Sequence, residues 1–174
     1  MDRSPDQPTR RKILDFVATH PGTSARDIQR SLSLGWGETA YHLEQLMQAS
    51  ALKRDRAGRR DYYFPLSSRP EDRRILIAFQ SATERALLLA LSREPEQSFT
   101  ELMAHLRMSK SHLSLHLRFL MASGLLGISK ASGIRRYNAE QPDRVLELYR
   151  LYRESWGDRW IDRFTAAFSG IMRP

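Results

Sequence analysis

Basic side chains that could bind phosphate groups are concentrated in two short stretches of the chain, each of which contains a glycine. Of the 28 basic residues only four are lysines, and the planar guanidinium group of arginine suits bidentate contacts with phosphates or guanine. We therefore expect both stretches to contact a polyanion, with solvation of exposed loops as the simpler alternative. The basic residues concerned are Lys53, Arg54, Arg56, Arg59 and Arg60 in the first stretch, and Lys130, Arg135 and Arg136 in the second.

Two histidines four residues apart, His112 and His116, have a spacing that can hold a metal ion on one face of a helix. No third ligand stands near them in the sequence, and His116 has a counterpart in His42, which also directly precedes a leucine. We therefore predict that His116 supports its helix against its own domain and that His112 lies on the surface. Neither a metal nor a cofactor is expected.

Catalytic chemistry is not predicted either. The chain has no cysteine, which excludes disulfides, thiolate metal sites and cysteine nucleophiles. It has no glycine-rich phosphate loop and no recognisable grouping of serine, histidine and aspartate. The carboxylates are scattered among arginines, where ion pairing is their usual role. An enzyme is therefore not expected.

The elements that must position the basic residues occur twice in the chain. Residues 14–64 align without a gap on residues 88–138, at a constant offset of 74. Two copies of one supersecondary unit are the simplest explanation. The matched pairs include Pro21 and Pro95, Ser24 and Ser98, Leu32 and Leu106, His42 and His116, Leu43 and Leu117, Leu46 and Leu120, Leu52 and Leu126, and Tyr63 and Tyr137.

Each copy has the pattern of helix, helix, turn, helix and then a β-hairpin. Apolar residues at helical spacing predict the first helix over 10–19. A capping-box sequence opens the second helix at Ser24 and at Ser98, and the third helix begins near Trp36 and after the predicted N-cap Ser109. The apolar period then changes to that of two strands around a glycine. The predicted fold is therefore mainly α with small β-hairpin wings, namely two tandem winged helix-turn-helix domains followed by C-terminal amphipathic helices.

A winged helix-turn-helix can place its third helix in the major groove of DNA, while the hairpin reaches phosphates or the minor groove. In the first copy this helix is a poor DNA face, because phosphates would repel Glu38 and Glu44, and its possible contacts are Trp36 and Tyr41. We expect the second copy to read bases and the first hairpin to make most phosphate contacts. The outward residues of the second copy's third helix, all of them hydrogen-bond donors, are Lys110, Ser111, His112, Ser114 and Arg118.

The repeat predicts a first winged-helix domain over 8–66, a linker over 67–80, a second winged-helix domain over 81–139 and a C-terminal tail over 140–174. The sequence leaves open whether 75–80 form a helix, a strand or an ordered linker. The tail carries aromatic residues at helical spacing that need to be covered, by packing within the chain, by homodimerisation or by a separate partner or ligand. These residues include Tyr149, Tyr152, Trp156, Trp160, Phe164 and Phe168.

The net charge of +8 is concentrated in the repeats. Ten basic and six acidic residues lie in 8–66, eight basic and four acidic in 84–138, and six of each in 139–174. This distribution favours a polyanion partner for the repeats and a protein contact for the tail. The longest uninterrupted apolar run, 86–91, is too short to cross a bilayer. We therefore expect a cytoplasmic, nucleoid-associated protein without membrane contact.

Several of these motifs resemble known regulators. The run over 19–32, the Thr39-Ala-Tyr-His-Leu segment and the hairpin ending at Tyr62-Tyr63-Phe64-Pro65 are similar to the archaeal tandem winged-helix transcriptional regulators. The segments 109–120 and 123–126 are similar to ArsR- and MarR-type repressor domains. The resemblance covers about two thirds of the chain and implies sequence-directed binding to double-stranded DNA in transcriptional control. The cysteine ligands typical of metal-sensing ArsR members are missing, so thiolate metal sensing is not implied.

Three functions therefore remain open at this point. The preferred one is a DNA-binding transcriptional regulator with two unequal winged-helix modules. A tandem winged-helix protein-interaction adaptor would fit the acidic third helix of the first copy better, although an adaptor has no need of an arginine-rich hairpin. An architectural chromatin protein would use the same arginines with little sequence preference.

Overall fold

The computed structural model describes residues 8–131 and 133–156, which belong to two compact units divided between Ile77 and Ala78. Each unit combines helices with a three-stranded antiparallel sheet, and the predicted fold class is confirmed. The division between the units falls inside the predicted linker, 67–80. That segment contains a helix, which answers the question that the sequence left open for 75–80.

The first unit has seven elements among the described residues. Local sequence explains several of the helix ends. Ser24 accepts a hydrogen bond from the backbone of Asp27 at the start of the second helix, and Ser33 and Ser50 adopt left-handed conformations after the second and third. The elements are α1 Pro8–Thr19, β1 Thr23–Ser24, α2 Ala25–Leu32, α3 Trp36–Gln48, β2 Leu52–Ala57, β3 Arg60–Pro65 and α4 Pro70–Ala78.

The second unit repeats the order of the first six elements and ends in a different helix. Its elements are α5 Ala82–Arg93, β4 Gln97–Ser98, α6 Phe99–Leu106, α7 Lys110–Ala122, β5 Leu126–Ala131, β6 Ile134–Ala139, α8 Pro142–Tyr152 and a 3-10 turn, Arg153–Trp156.

The cores of the two units are built from equivalent positions. Leu43 and Leu46 on α3 are buried, as are Leu117 and Leu120 on α7. In the first unit, Ile13, Val17 and Ile28 pack against the α3 leucines, and in the second the corresponding layer contains Leu87, Leu91 and Leu102. Each third helix is therefore fixed by one apolar side, and the opposite side is left for other contacts.

Each sheet contains a short strand that the sequence pattern did not predict. The strand orders are β1-β3-β2 and β4-β6-β5, both antiparallel. The strands β1 and β4 have two residues each and end at the N-cap of the second helix, with Thr23 opposite Tyr63 and Gln97 opposite Tyr137. They tie each hairpin to the helices of its unit. A two-residue strand is too short to show alternation in a sequence.

The two predicted capping boxes, and a third sequence of this kind at Ser81, form to different degrees. At Ser98 the box is complete, because Glu101 Oε2 accepts from the Ser98 backbone N–H at 2.6 Å and Ser98 Oγ accepts from the Glu101 N–H at 3.3 Å. At Ser24 the shorter Asp27 side chain accepts instead from the Ser24 hydroxyl at 2.5 Å. At Ser81 only the serine half forms, since the Glu84 carboxylate pairs with a histidine of α7.

The described part of the predicted tail packs within its own unit. Val145, Leu148 and Tyr149 on α8 are buried, and α8 contacts α5. The ring of Trp156 stacks on Tyr149 with centroids 6.2 Å apart. The guanidinium carbon of Arg85 lies 5.3 Å from the centre of the Trp156 ring. Burial lowers the pKa of the Arg85 guanidinium to about 10. Trp160, Phe164 and Phe168 lie outside the described residues.

No single helix among the described residues is long and apolar enough to cross a membrane. One bent pair of helices, α4 with α5, meets the criteria of length and composition only when both are combined.

Candidate nucleic-acid interface

The outward face of α7 displays the side chains that the sequence predicted there. Ser109 is the N-cap, and its hydroxyl accepts a hydrogen bond from the His112 N–H at 3.4 Å. Leu113 and Leu117 hold the opposite side in the core. The predicted base-contacting residues Lys110, Ser111, His112, Ser114 and Arg118 are all exposed.

Two apolar side chains on the same face were not predicted as contacts. Leu115 is 55% exposed and Phe119 is 38% exposed. With 100° of rotation per residue, Leu115 lies almost opposite the buried leucines, at the centre of the outward face. Helical geometry alone would have predicted the exposure of Leu115, because Leu115 lies on the same side of α7 as Ser111 and Arg118.

The histidine pair on α7 divides as predicted. His116 is largely buried, and its Nδ1 lies 3.1 Å from Glu84 Oε1, so it joins α7 to α5. His112 is exposed and meets the His116 ring edge-on, with centroids 4.7 Å apart. Within the described ranges, no group of three or more histidine, cysteine, aspartate or glutamate side chains could hold a metal ion.

The outward face of α3 has a different chemistry. Trp36 is 56% exposed and Tyr41 is 47% exposed. Glu38 and Glu44 are exposed on the same helix, and Glu44 accepts a hydrogen bond from the Gln48 side chain at 3.3 Å. This face therefore presents aromatic rings and carboxylates where α7 presents cations and hydroxyls.

The first wing, formed by β2 and β3, carries exposed guanidinium groups at its tip. The two strands are joined by a two-residue turn in which Gly58 has a φ of 60°, a conformation that favours glycine. Arg56, Arg59 and Arg60 are exposed, and in the described structure no carboxylate lies within ion-pair distance of them. Lys53 is half-buried nearer the base of the hairpin. The tip is thus positively charged and without an internal partner.

The base of the first wing is neutralised internally. Arg54 Nη1 lies 3.9 Å from Asp61 Oδ2. Asp55 Oδ2 forms an ion pair with Arg73 Nε of α4 at 2.8 Å. The Arg73 guanidinium also lies 5.9 Å from the centre of the Phe64 ring. Burial raises the pKa of the Tyr63 hydroxyl, and the Asp61 carboxylate adds to this shift. These contacts fix the hairpin against its unit and leave the tip arginines free to bind an external anion.

An open cleft of about 710 Å³ separates the first wing from α2 and α3. The two α2 arginines at its edge, Arg26 and Arg30, were not predicted as contacts, since their approach to the wing depends on the tertiary fold. Trp36 borders the cleft from the start of α3. The charged residues that line it are Arg26, Arg30, Arg54, Arg59 and Arg60, against Asp27, Glu44 and Asp61.

The second wing, formed by β5 and β6, has fewer available cations. Lys130 and Arg135 are exposed. Arg136, by contrast, donates to the backbone oxygen of Glu96 at 2.6 Å and to Glu101 Oε2 at 3.3 Å. The backbone hydrogen bond from Ser98 lowers the pKa of the Glu101 carboxyl, which favours the charged partner of Arg136. In this structure Arg136 therefore joins the wing to the start of α6.

Two family models match the chain. Residues 7–76 match a model described as an N-terminal HTH domain, and residues 82–127 match the model of the bacterial regulatory protein, arsR family. A solved structure described as an ArsR family transcriptional regulator is 28% identical over 53% of this chain and 97% of its own, with a TM-score of 0.36. The comparison with curated proteins found no match.

The chain therefore carries two HTH domains in tandem, the second of the arsR type, and the predicted resemblance is confirmed. Tandem domains of this kind support a DNA-binding regulator in general. The archaeal assignment stays a prediction, as does the DNA contact of each individual residue named above.

Proposed function

We propose that this chain is a DNA-binding transcriptional regulator whose two winged-helix units bind DNA unequally. In this proposal α7 of the second unit reads bases in the major groove, and the arginine-rich first wing holds phosphates. The observation that carries it is the coincidence of exposed cations with the two elements that can reach DNA, namely Lys110 and Arg118 on α7 and the tip of the first wing.

The division of labour is supported by the charges of the two third helices. Arg118 on α7 corresponds in sequence to Glu44 on α3, and His112 corresponds to Glu38. Carboxylates facing phosphates are repelled, while guanidinium and ammonium groups release counterions from DNA. The first unit therefore contributes phosphate contacts through its wing and through Arg26 and Arg30 beside the cleft.

Binding of the full chain to DNA duplexes at increasing salt tests the electrostatic part of this proposal. If six to ten cations meet phosphates, the association constant falls by roughly a thousandfold or more between 50 and 200 mM salt. A nearly flat salt dependence would contradict the proposal. Enrichment of duplexes from a randomised library distinguishes a regulator from an architectural protein, because the latter would enrich no particular sequence.

Base reading by α7 is tested with single substitutions on an enriched duplex. We expect Arg118→Ala and Lys110→Ala each to weaken binding by about 1–3 kcal/mol. Glu38→Ala on α3 is the matched control, since it removes an exposed side chain from the equivalent helix and is expected to leave binding unchanged or slightly tighter. Equal losses for all three variants would overturn the assignment of α7 as the reading helix.

A protein-interaction adaptor is the second candidate, and one observation favours it. Trp36 and Tyr41 are about half exposed beside the carboxylates of α3, and aromatic residues of this kind are common in protein interfaces. A purified chain that binds no duplex at 50 mM salt but forms a stable complex with another protein through α3 would support this alternative.

We further propose homodimerisation through the tail as an addition to the regulator. Leu151 on α8 is 66% exposed, whereas Leu148 and Tyr149 on the same helix are buried. Comparing the mass in solution of the full chain with that of residues 1–156 tests the segment that follows α8. A nucleoid-associated location would follow from DNA binding.

A further inference from the structure

We propose that Leu115 and Phe119 form an apolar reader for the methyl groups of thymine bases. The inference rests on the proposed function, because it requires α7 to enter the major groove. It deepens that function by naming a base that the second unit recognises. The two residues lie one helical turn apart on the exposed side of α7.

The position of Leu115 on the helix favours contact with DNA bases. A single exposed leucine on a protein surface is ordinary. Leu115, however, occupies the centre of the one face of α7 that the core leaves uncovered, with Ser111 one turn before it and Arg118 three residues after it. Any duplex that engages those polar neighbours would bring base edges against the leucine.

The chemistry of the major groove favours thymine as the base that these side chains contact. Leucine and phenylalanine side chains offer no hydrogen bond, so they gain nothing from the donors and acceptors of guanine, cytosine or adenine edges. The C5-methyl group of thymine is the apolar feature displayed in this groove, and apolar side chains recognise it by contact. Arg118 and Ser111 beside Leu115 can meanwhile bind phosphate oxygens or neighbouring base edges.

The charge around the two residues favours DNA over a protein as the occupant of this face. Arg118 lies beside Leu115 and Lys110 lies at the N-terminal end of α7, and no described carboxylate is within ion-pair distance of either. Exposed carboxylates are likewise missing from α7 itself, whose sequence contains none. A surface with cations beside an apolar pair matches phosphates near a methyl group.

The equivalent position of the first unit is occupied by Tyr41, which is also exposed. Its phenol can donate and accept hydrogen bonds, and it stands among the carboxylates of α3. We therefore place the methyl reader in the second unit only.

Removal of the methyl group from DNA tests this inference directly. Duplexes enriched from a randomised library by the full chain are resynthesised with deoxyuridine replacing one thymidine at a time. Uracil keeps the hydrogen-bonding edge of thymine and lacks only the methyl group, so affinity should fall about fourfold at each position that is read. In a duplex that carries cytosine at such a position, replacing that cytosine by 5-methylcytosine restores the methyl group and should raise the affinity by a similar factor.

Substitutions in the protein, combined with the change from thymine to uracil in DNA, test whether these two side chains read the methyl group. Leu115→Ala should weaken binding to the thymine duplex and should no longer distinguish thymine from uracil, and Phe119→Ala should do the same at a neighbouring base pair. Leu66→Ala is the matched control, because it also removes an exposed leucine and lies in the turn after β3, outside both third helices. Its discrimination should equal that of the unaltered chain.

Two results would overturn the inference while leaving the proposed function intact. Enriched duplexes that bind equally with uracil at every position would do so. An unchanged uracil penalty in both Leu115→Ala and Phe119→Ala would also do so, since another group would then read the methyl. Failure to enrich or bind any duplex would instead remove the proposed function, and the apolar face would then be a protein contact.

Discussion

The two units of this chain share a backbone plan and differ in the chemistry they display. Their third helices each bury leucines at equivalent positions, Leu43 in the first and Leu117 in the second. On the outward side, α3 carries Glu44 where α7 carries Arg118. In the first unit, the arginines that line an open cleft lie instead on its wing and on α2.

The residues that fix the fold of each unit differ from the residues that select its partner. The buried leucines determine which side of each third helix faces inward, since moving them to water would cost apolar burial. The outward side makes no contribution to the core and can change without affecting the fold. A duplicated unit can therefore keep one architecture while its two copies take on base reading and phosphate binding separately.

The largest expected effect comes from removing cations at the tip of the first wing. We expect the double variant Arg59→Ala and Arg60→Ala to weaken DNA binding by roughly tenfold or more at low salt and to reduce the slope of log K against log salt by about 2. The first wing stands among further arginines at the cleft, which strengthens the local positive potential. Titration of a labelled duplex at several salt concentrations measures both quantities.

The matched control is the double variant Lys130→Ala and Arg135→Ala in the second wing. It removes the same charge from exposed positions, yet fewer cations surround it because Arg136 is engaged with Glu101. We expect a smaller loss of affinity. Equal losses would show that the two wings contribute equally, and a larger loss in the second unit would reverse the comparison.

The sequence predicted the repeated elements because their signals are local. The N-caps Ser24, Ser98 and Ser109 and the two hairpins follow from residue types and periodicity, and the structure contains all of them. The helix α4 was missed because its first half, beginning at Pro70, is polar and reads as a hinge. Its apolar second half is too short to identify a helix alone.

The candidate interface was predicted less completely, because it depends on contacts between distant residues. Nothing in the local sequence brings Arg26 to the first wing, and nothing shows that Arg136 would engage Glu96, 40 residues away. Leu115 was missed for a different reason. Apolar residues on an amphipathic helix are assigned to the core by default, and only the helical angle separates this leucine from its buried neighbours.

A smaller effect is expected where the two copies use different residues for the same backbone conformation. Ser50 and Gly124 follow α3 and α7 and have φ values of 54° and 66°. Their N–H groups donate to Met47 O and Met121 O, at 2.9 and 3.0 Å. A left-handed residue is strained unless it is glycine, so Gly124→Ser should lower the free energy of unfolding by about 1 kcal/mol.

The reverse substitution in the first unit, Ser50→Gly, should stabilise the protein. The gain is expected to stay below about 1 kcal/mol, because glycine also adds conformational entropy to the unfolded chain. Chemical denaturation of both variants beside the unaltered chain measures the two changes. Effects of the same sign would mean that the serine makes compensating contacts in the first unit and that the two helix ends are not equivalent.

The smallest expected effect is a pH dependence confined to the second unit. His105 on α6 is partly buried, and its Nδ1 lies 3.0 Å from Gln97 Oε1. Burial lowers the pKa of this histidine, with Glu94 opposing the shift. The equivalent residue of the first unit is Ser31, which is exposed and does not titrate. The two units should therefore respond differently to mild acid.

The direction of this pH dependence follows from whether the folded or the unfolded chain binds the His105 proton more tightly. The unfolded chain takes up a proton at His105 near the ordinary pKa of about 6.5, and the folded unit does so only at lower pH. The neutral ring thus contributes stability above about pH 6.5 that is lost as the pH falls through the folded pKa.

Denaturation midpoints between pH 8 and 5 should decline for the unaltered chain and decline less for His105→Gln. Carboxyl groups such as Glu101, whose pKa is lowered, lose their contribution below this window because their unfolded pKa is about 4.3. Identical pH profiles for the two proteins would therefore assign the acid sensitivity to groups shared by both units and remove this difference between them.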